Sequence, residues 1–217
     1  DNDYKYSVAW VDSLHKNARG VLTLANHANK NELNKSQMSN PLTFKSKSLA
    51  KAPDYFPGGI LNKYTVKAFN TAWFYKFPKD LKKEIQDISN YFHPLDGIKN
   101  WNKIYGEKGF LQYQFVVPNE SKELITYSLD LLRKIGVPSF LTVLKRFGKG
   151  NKSPLSFPQK GWTLAIDIPN NVSNLEKTLS KLDHKIALAG GRIYLAKDSR
   201  QSPKIFKSTY PLFNEWL

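Results

Sequence analysis

The sequence contains no cysteine, which rules out disulfide bonds, a thiol nucleophile and any thiolate metal site and fits a cytoplasmic protein. Its four histidines, His15, His27, His93 and His184, show none of the spacings at which metal ligands recur, so no metal site is expected. Long apolar runs are missing too: no stretch of 18 apolar residues occurs, so no membrane-spanning helix is expected. The start, Asp1-Asn-Asp3, has no signal-peptide character. An initiator Met is also lacking, which suggests a fragment whose upstream part could carry a targeting segment. Acidic residues are few, 18 against 33 basic ones, for a formal net charge of +15. Such a balance suits nucleic acid, anionic lipid or a phosphorylated substrate. Arginine is scarce, however: only Arg19, Arg133, Arg146, Arg192 and Arg200 stand among the basic residues. Sites that read phosphate or bases by bidentate contact recruit arginine, so a solvated lysine surface is the plainer account of the charge.

What is present is 217 residues with 41% hydrophobic content, enough for one or two globular domains with a core. The most informative stretch is 109–197, which reads strand, helix, strand, strand, helix, strand and so predicts an α+β fold with a ferredoxin-like βαββαβ core. In the first strand Leu111, Tyr113, Phe115 and Val117 share one face, and Phe110, Gln112, Gln114 and Val116 share the other. Asn119 can cap a helix with the apolar stripe Leu124, Leu131, Leu132 and Ile135, stopped by Gly136 and Pro138. Two strands follow, 139–147, in which Leu141, Val143 and Lys145 alternate with Phe140, Thr142 and Leu144, and 162–168, in which Trp162, Leu164, Ile166 and Ile168 alternate with Thr163, Ala165 and Asp167. The second helix opens on the capping-box pattern Ser173-Asn-Leu-Glu176, carries Leu175, Leu179, Leu182 and Ile186, and ends at Gly190-Gly191 before a strand over 192–196. Both helices are expected on one face of an antiparallel sheet. The other face then holds Gln112, Gln114, Thr163 and Lys145, the composition of a ligand platform rather than of a second core.

Upstream, the alternation of Tyr4, Tyr6, Val8 and Trp10 and the run Gly20 to Ala25 read as strands that extend the same sheet. Residues 27–57, rich in Asn, Ser and Lys, read as a long and mobile surface loop closed by Pro57-Gly-Gly59. Val66, Phe69 and Trp73 recur at helical spacing over 64–76, with Pro78 as the stop. The pattern over 81–92 does not choose between helix and strand.

Several of these blocks also resemble a known family. Phe92-His-Pro-Leu-Asp96, Trp101-Asn102, Tyr105-Gly106, Gly109-Phe-Leu-Gln-Tyr-Gln-Phe-Val-Val-Pro118, Lys145-Arg-Phe-Gly148, Pro154-Leu-Ser-Phe-Pro158, Gly161-Trp162 and Gly191-Arg-Ile-Tyr-Leu-Ala-Lys-Asp-Ser-Arg200 stand in the order found in the decaprenylphosphoryl-β-D-ribose 2′-oxidases, flavoenzymes of the vanillyl-alcohol oxidase type. The resemblance implies a substrate-binding domain over 1–196. It implies that 197–217 begin the return to an FAD-binding domain absent from this chain, which has no G-x-G-x-x-G phosphate cradle. It also favours a strand over 81–92.

The same resemblance implies site roles. Lys197 would reach the flavin and the substrate and stabilise the charge that develops near the N1/O2 edge when hydride arrives at N5. Gln112 and Gln114 would hydrogen-bond sugar hydroxyls or phosphate, and Lys145 would neutralise the phosphate, with Thr163 and Phe92 completing the substrate site. Some relatives carry Asn, Cys and Tyr where this chain has Thr163, Ala165 and Phe92, which bears on substrate identity more than on reaction type. The expected partners are a sugar or lipid-linked sugar phosphate, the FAD domain of the same polypeptide, and peripherally a membrane, in a cytoplasmic enzyme of cell-wall biosynthesis. An RNA-binding module is the alternative, since Lys108-Gly-Phe-Leu-Gln-Tyr-Gln-Phe115 partly matches the signature octapeptide of RNA-recognition motifs. It fails where stacking is needed, at Gln112, and lies on the first strand rather than the third.

Overall fold

The computed structural model describes residues 3–44, 48–55, 59–77, 79, 82–198 and 200–217. In chain order the elements are β1 (Tyr6–Val11), β2 (Gly20–Ala25), α1 (Lys35–Met38), β3 (Ala50–Lys51), α2 (Lys63–Lys76), α3 (Ile88–Phe92), β4 (Ile98–Lys99), β5 (Phe110–Pro118) and α4 (Glu123–Lys134). There follow β6 (Thr142–Phe147), β7 (Gly161–Pro169), α5 (Leu175–Leu188), β8 (Arg192–Ile193), α6 (Pro203–Thr209) and α7 (Phe213–Trp216). Six strands form one sheet in the order β2-β1-β6-β7-β5-β8, and all five pairings are antiparallel. The expected α+β class is therefore observed. Within the unit that starts at β5, its first and third strands are central and its second and fourth lie outside them, the ferredoxin-like order. The β1–β2 hairpin extends the sheet beside β6, as the alternation of the first 25 residues suggests.

One face of the sheet is buried under α4 and α5. Tyr113, Phe115 and Val117 from β5 and Leu164, Ile166 and Ile168 from β7 pack with Ile125, Leu129 and Leu132 of α4 and Leu175, Leu179, Leu182 and Ile186 of α5. Each such side chain, once fully buried, contributes about 1.5–3 kcal/mol of apolar transfer energy. One polar contact crosses this layer: the buried Tyr113 hydroxyl donates to Asp183 Oδ1 at 2.7 Å, and Arg200 pairs with the other oxygen of Asp183. Burial and the Asp183 charge push the Tyr113 hydroxyl well above its ordinary pKa. Two glycines are required by the backbone. Gly136 has φ +79 at the C-terminal end of α4, and a Cβ on Gly161 would lie 2.0 Å from the Val117 carbonyl oxygen across the β5–β7 ladder.

Several local expectations are corrected. Asn119 begins a short 3-10 turn instead of capping α4, which starts at Glu123 after Lys122 with no side-chain cap. The buried stripe of α4 centres on Ile125, Ser128, Leu129 and Leu132, one residue round from the expected one, with Leu124, Leu131 and Ile135 partly buried. No capping box forms at Ser173, because Asn174 adopts left-handed φ 60 and is itself the residue before α5. The expected strand over 192–196 is only Arg192–Ile193, after which the chain turns. The strand expected over 81–92 is the helix α3 at Ile88–Phe92, preceded by irregular chain over 82–87.

The predicted loop 27–57 contains α1, a 3-10 turn at Lys30–Glu32 and β3, which pairs in parallel with β4 through Ala50 and Ile98. The helix expected over 64–76 is α2, with Asn62 Oδ1 accepting from the Tyr64 and Thr65 amides. Of its expected stripe Val66 is buried, while Phe69 is exposed and stacks on Trp73. Pro57 and Pro78 lie outside the described residues. Beyond β8, α6 and α7 pack back on the domain: Ile205, Tyr210 and Phe213 are buried, and the Tyr210 hydroxyl donates to the Ile193 carbonyl at 2.6 Å.

Candidate functional site

Strand register decides what the second face of the sheet displays, since a slip of one residue would exchange the faces. Gln112 stands opposite Asp167, Gln114 opposite Ala165 and Val116 opposite Thr163 in the β5–β7 ladder. Lys145 of β6 stands opposite Thr163, and Val8 of β1 opposite Lys145. The four residues expected on this face, Gln112, Gln114, Thr163 and Lys145, are therefore neighbours across three strands.

Aromatic groups flank these polar residues at both ends. At one end Tyr105 stacks on Phe110 at 4.1 Å and on Phe140 at 5.5 Å. At the other, Phe157 stacks on Tyr194 at 4.3 Å and meets Phe147 edge-on at 5.9 Å. Arg192 fixes the segment carrying Phe157 by donating to the Ser156 carbonyl at 2.7 Å. The Tyr194 amide donates to the Gln114 carbonyl at 2.9 Å, which keeps that ring beside β5 although β8 has ended.

Lys197 joins the platform from the turn after β8. Its Nζ donates to Gln112 Oε1 at 3.0 Å, and the neighbouring Asp198 accepts the Gln112 backbone amide at 2.7 Å. Gln114 Nε2 donates to Thr163 Oγ1 at 3.1 Å, and the Thr163 hydroxyl donates to the Phe115 carbonyl at 2.8 Å. Thr163 is 1% exposed, so what it presents to the platform is an oriented Gln114 rather than its own hydroxyl. Among the described residues Lys145 has no hydrogen bond and no ion pair. Partial desolvation and the Lys197 charge both lower its pKa, which places two ammonium groups before one stretch of sheet. Phe92 sits apart from the amides, half-exposed in an aromatic cluster with Tyr6 at 5.0 Å and Tyr91 at 4.9 Å, beside β1.

Two site residues escape sequence reading. Asp167 is 3% exposed, and its Oδ1 accepts from Gln112 Nε2 at 2.9 Å. Among the described residues its Oδ2 and the buried Tyr105 hydroxyl lack a partner of normal hydrogen-bond geometry, although each group shifts the other's pKa. Burial is the main cause that moves Asp167 up from 3.8 to about 6, opposed by Gln112, Lys197 and Tyr105 and assisted by the Asp198 charge. Burial likewise raises the Tyr105 hydroxyl. The available signal was the one charged residue of the central strand Trp162-Thr-Leu-Ala-Ile-Asp-Ile168, at a position facing the amides. The described residues contain no cluster of potential metal ligands and no helix long and apolar enough to cross a membrane.

No family model matches the chain. It is 37% identical over 218 residues to a protein of Mycolicibacterium smegmatis named decaprenylphosphoryl-beta-D-ribose oxidase, an alignment that spans 99% of this chain and 47% of that protein. The chain resembles this oxidase along nearly its whole length. It is also 26% identical over 228 residues to a Streptomyces coelicolor protein described as an uncharacterized protein in the mprA 5′ region, over 100% of this chain and 61% of that one. The chain thus spans about half the length of the curated relatives it matches. The resemblance read from the motif blocks accordingly holds across the intervening sequence as well.

Proposed function

We propose that this chain supplies the substrate-binding face of an FAD-dependent oxidoreductase that oxidises a secondary alcohol of a sugar, a polyprenyl-phospho-pentose or a related compound. The observation that carries the reading is the pair of lysines, Lys145 and Lys197, facing a row of neutral amides on the sheet face that α4 and α5 leave free. Likeness to an oxidase over 99% of the chain supports it. Bound FAD would supply the hydride acceptor. Lys197 fits a place beside it, because an ammonium has three donors and Gln112 takes one. The flavin phosphates belong, on this reading, to a separate flavin-binding domain of the same polypeptide.

The roles follow from the chemistry of each group. Lys145, with no acidic partner among the described residues, neutralises a substrate phosphate in ground and transition states alike. Gln114, held by Thr163, presents an amide whose hydrogen bonding does not change with pH. Phe157 and Tyr194 offer flat apolar surface beside it. Lys197 acts on charge that appears only during the reaction, and so contributes to rate rather than to binding. Stopped-flow reduction of the flavin-loaded enzyme at varied substrate separates these roles. Lys197→Met should slow reduction at saturation by roughly two orders of magnitude. Lys145→Met should weaken substrate binding by about 1.5–3 kcal/mol and spare the saturated rate. Equal, purely binding-type defects would overturn the assignment of Lys197.

A further inference from the structure

The amide of Gln112 is held at both ends and is chemically directional. Its Nε2 donates to Asp167 Oδ1 at 2.9 Å, and its Oε1 accepts from Lys197 Nζ at 3.0 Å. An ionised carboxylate is acceptor-only, so it forces the NH2 end of the amide toward Asp167 and thereby the oxygen end toward the lysine. A protonated Asp167 can donate instead. Lys197 alone then enforces the direction of the amide, and turning it over would set its NH2 group against the ammonium, donor against donor. We propose that Asp167 is a positioning residue for Lys197, acting through the Gln112 amide, and that uptake of a proton at Asp167 loosens the hold of the platform on the lysine.

Several further observations support this. Asp167 is 3% exposed, a costly place for a carboxylate that packing alone does not demand, and among the described residues its Oδ2 has no partner of normal hydrogen-bond geometry. Other titratable and charged groups facing it are few and come from each neighbouring element. They are Tyr105 from the turn before β5, Lys197 and Asp198 from the turn after β8, and, beyond Lys197, Lys145 of β6. Asp198 holds the Gln112 backbone amide irrespective of the side-chain orientation, so the turn stays in place while the lysine moves. The carboxyl's rise to about 6 puts the transition inside the working range of many enzymes. The positioning link is a property of this chain, whereas its consequence for turnover rests on the role proposed above for Lys197.

Side-chain NMR of the chain itself tests the link without flavin or activity. With the Asp167 carboxyl carbon, the Gln112 side-chain amide and the Lys197 Nζ followed between pH 4.5 and 8 (about one and a half units below and two above the expected midpoint), all three should share one inflection near pH 6. Asp167→Asn should abolish the inflection at Gln112 and Lys197. Gln112→Met should leave Asp167 titrating while the Lys197 signal no longer follows it. Should either variant misfold, the unaltered chain and the remaining variant still decide. A Lys197 signal that ignores the Asp167 titration, or that follows it unchanged in Gln112→Met, would overturn the proposal. If the signals move together but Lys197→Met leaves flavin reduction intact, the link stands and the assigned role of Lys197 falls.

Discussion

Replacing Asp167 with Asn should make the protein more stable, and the gain should depend on pH in a defined direction. The folded protein holds the Asp167 proton with a pKa of about 6, against 3.8 for the unperturbed group. Between these values the folded state binds more protons than the unfolded chain, so this group lowers stability as pH rises through the window from about 4 to about 6. Above it the ionised carboxylate costs roughly 2–3 kcal/mol, at about 1.4 kcal/mol for each tenfold change in proton affinity. Asn removes the charge and keeps an acceptor for Gln112 Nε2. Urea unfolding of both proteins at pH 4 and pH 8 should therefore give curves that nearly coincide at pH 4 and favour the variant by about 2–3 kcal/mol at pH 8. Taking the difference between variant and parent cancels the titration of the other carboxyls. A variant equally stable at both pH values, or less stable at pH 8, would refute the claim that burial sets the state of Asp167. A residue retained at such a cost is expected at a functional site.

Gly161→Ala should destabilise by about 3 kcal/mol, because the new methyl group meets the Val117 carbonyl across the central ladder; chemical denaturation measures it. Arg200→Met leaves the Asp183 carboxylate buried with the Tyr113 hydroxyl as its remaining partner and should cost about 3 kcal/mol, read the same way. Titration of the 217-residue chain with FAD, followed by flavin fluorescence, should show no saturable binding at micromolar concentration. Sub-micromolar binding would place a phosphate cradle within these residues.

Much of the sheet was legible because its signal is local and strong. The alternation of Gln112 and Gln114 against Tyr113, Phe115 and Val117 assigns the two faces before any pairing is known. The intervals of Leu175, Leu179, Leu182 and Ile186 give the inner side of α5, and all four are buried. What failed depends on tertiary context. The residues over 82–92 suit either secondary structure, and the ring contacts of Phe92 and Tyr91 with Tyr6 accompany the helical choice. Asn174 takes a left-handed conformation that displaces the capping box, which a tetrapeptide pattern cannot register. The strand after α5 stops at Ile193 because Asp198, rather than a further strand residue, accepts the Gln112 backbone amide. Asp167 was visible as an acid on the amide face. Its significance was not, because it arises from Gln112, Tyr105 and Lys197, residues distant in sequence that only folding brings to it.

The central claim is that the amide and lysine face of the sheet binds a phosphorylated sugar. Titrating the isotopically labelled chain with ribose 5-phosphate, and separately with ribose, tests it directly. The account predicts that the phosphorylated sugar moves the side-chain amide signals of Gln112 and Gln114 and the Nζ signals of Lys145 and Lys197, that ribose moves them far less, and that Lys145→Met removes most of the difference. Shifts confined to the outer surfaces of α4 and α5, or identical responses to the two sugars, would contradict it.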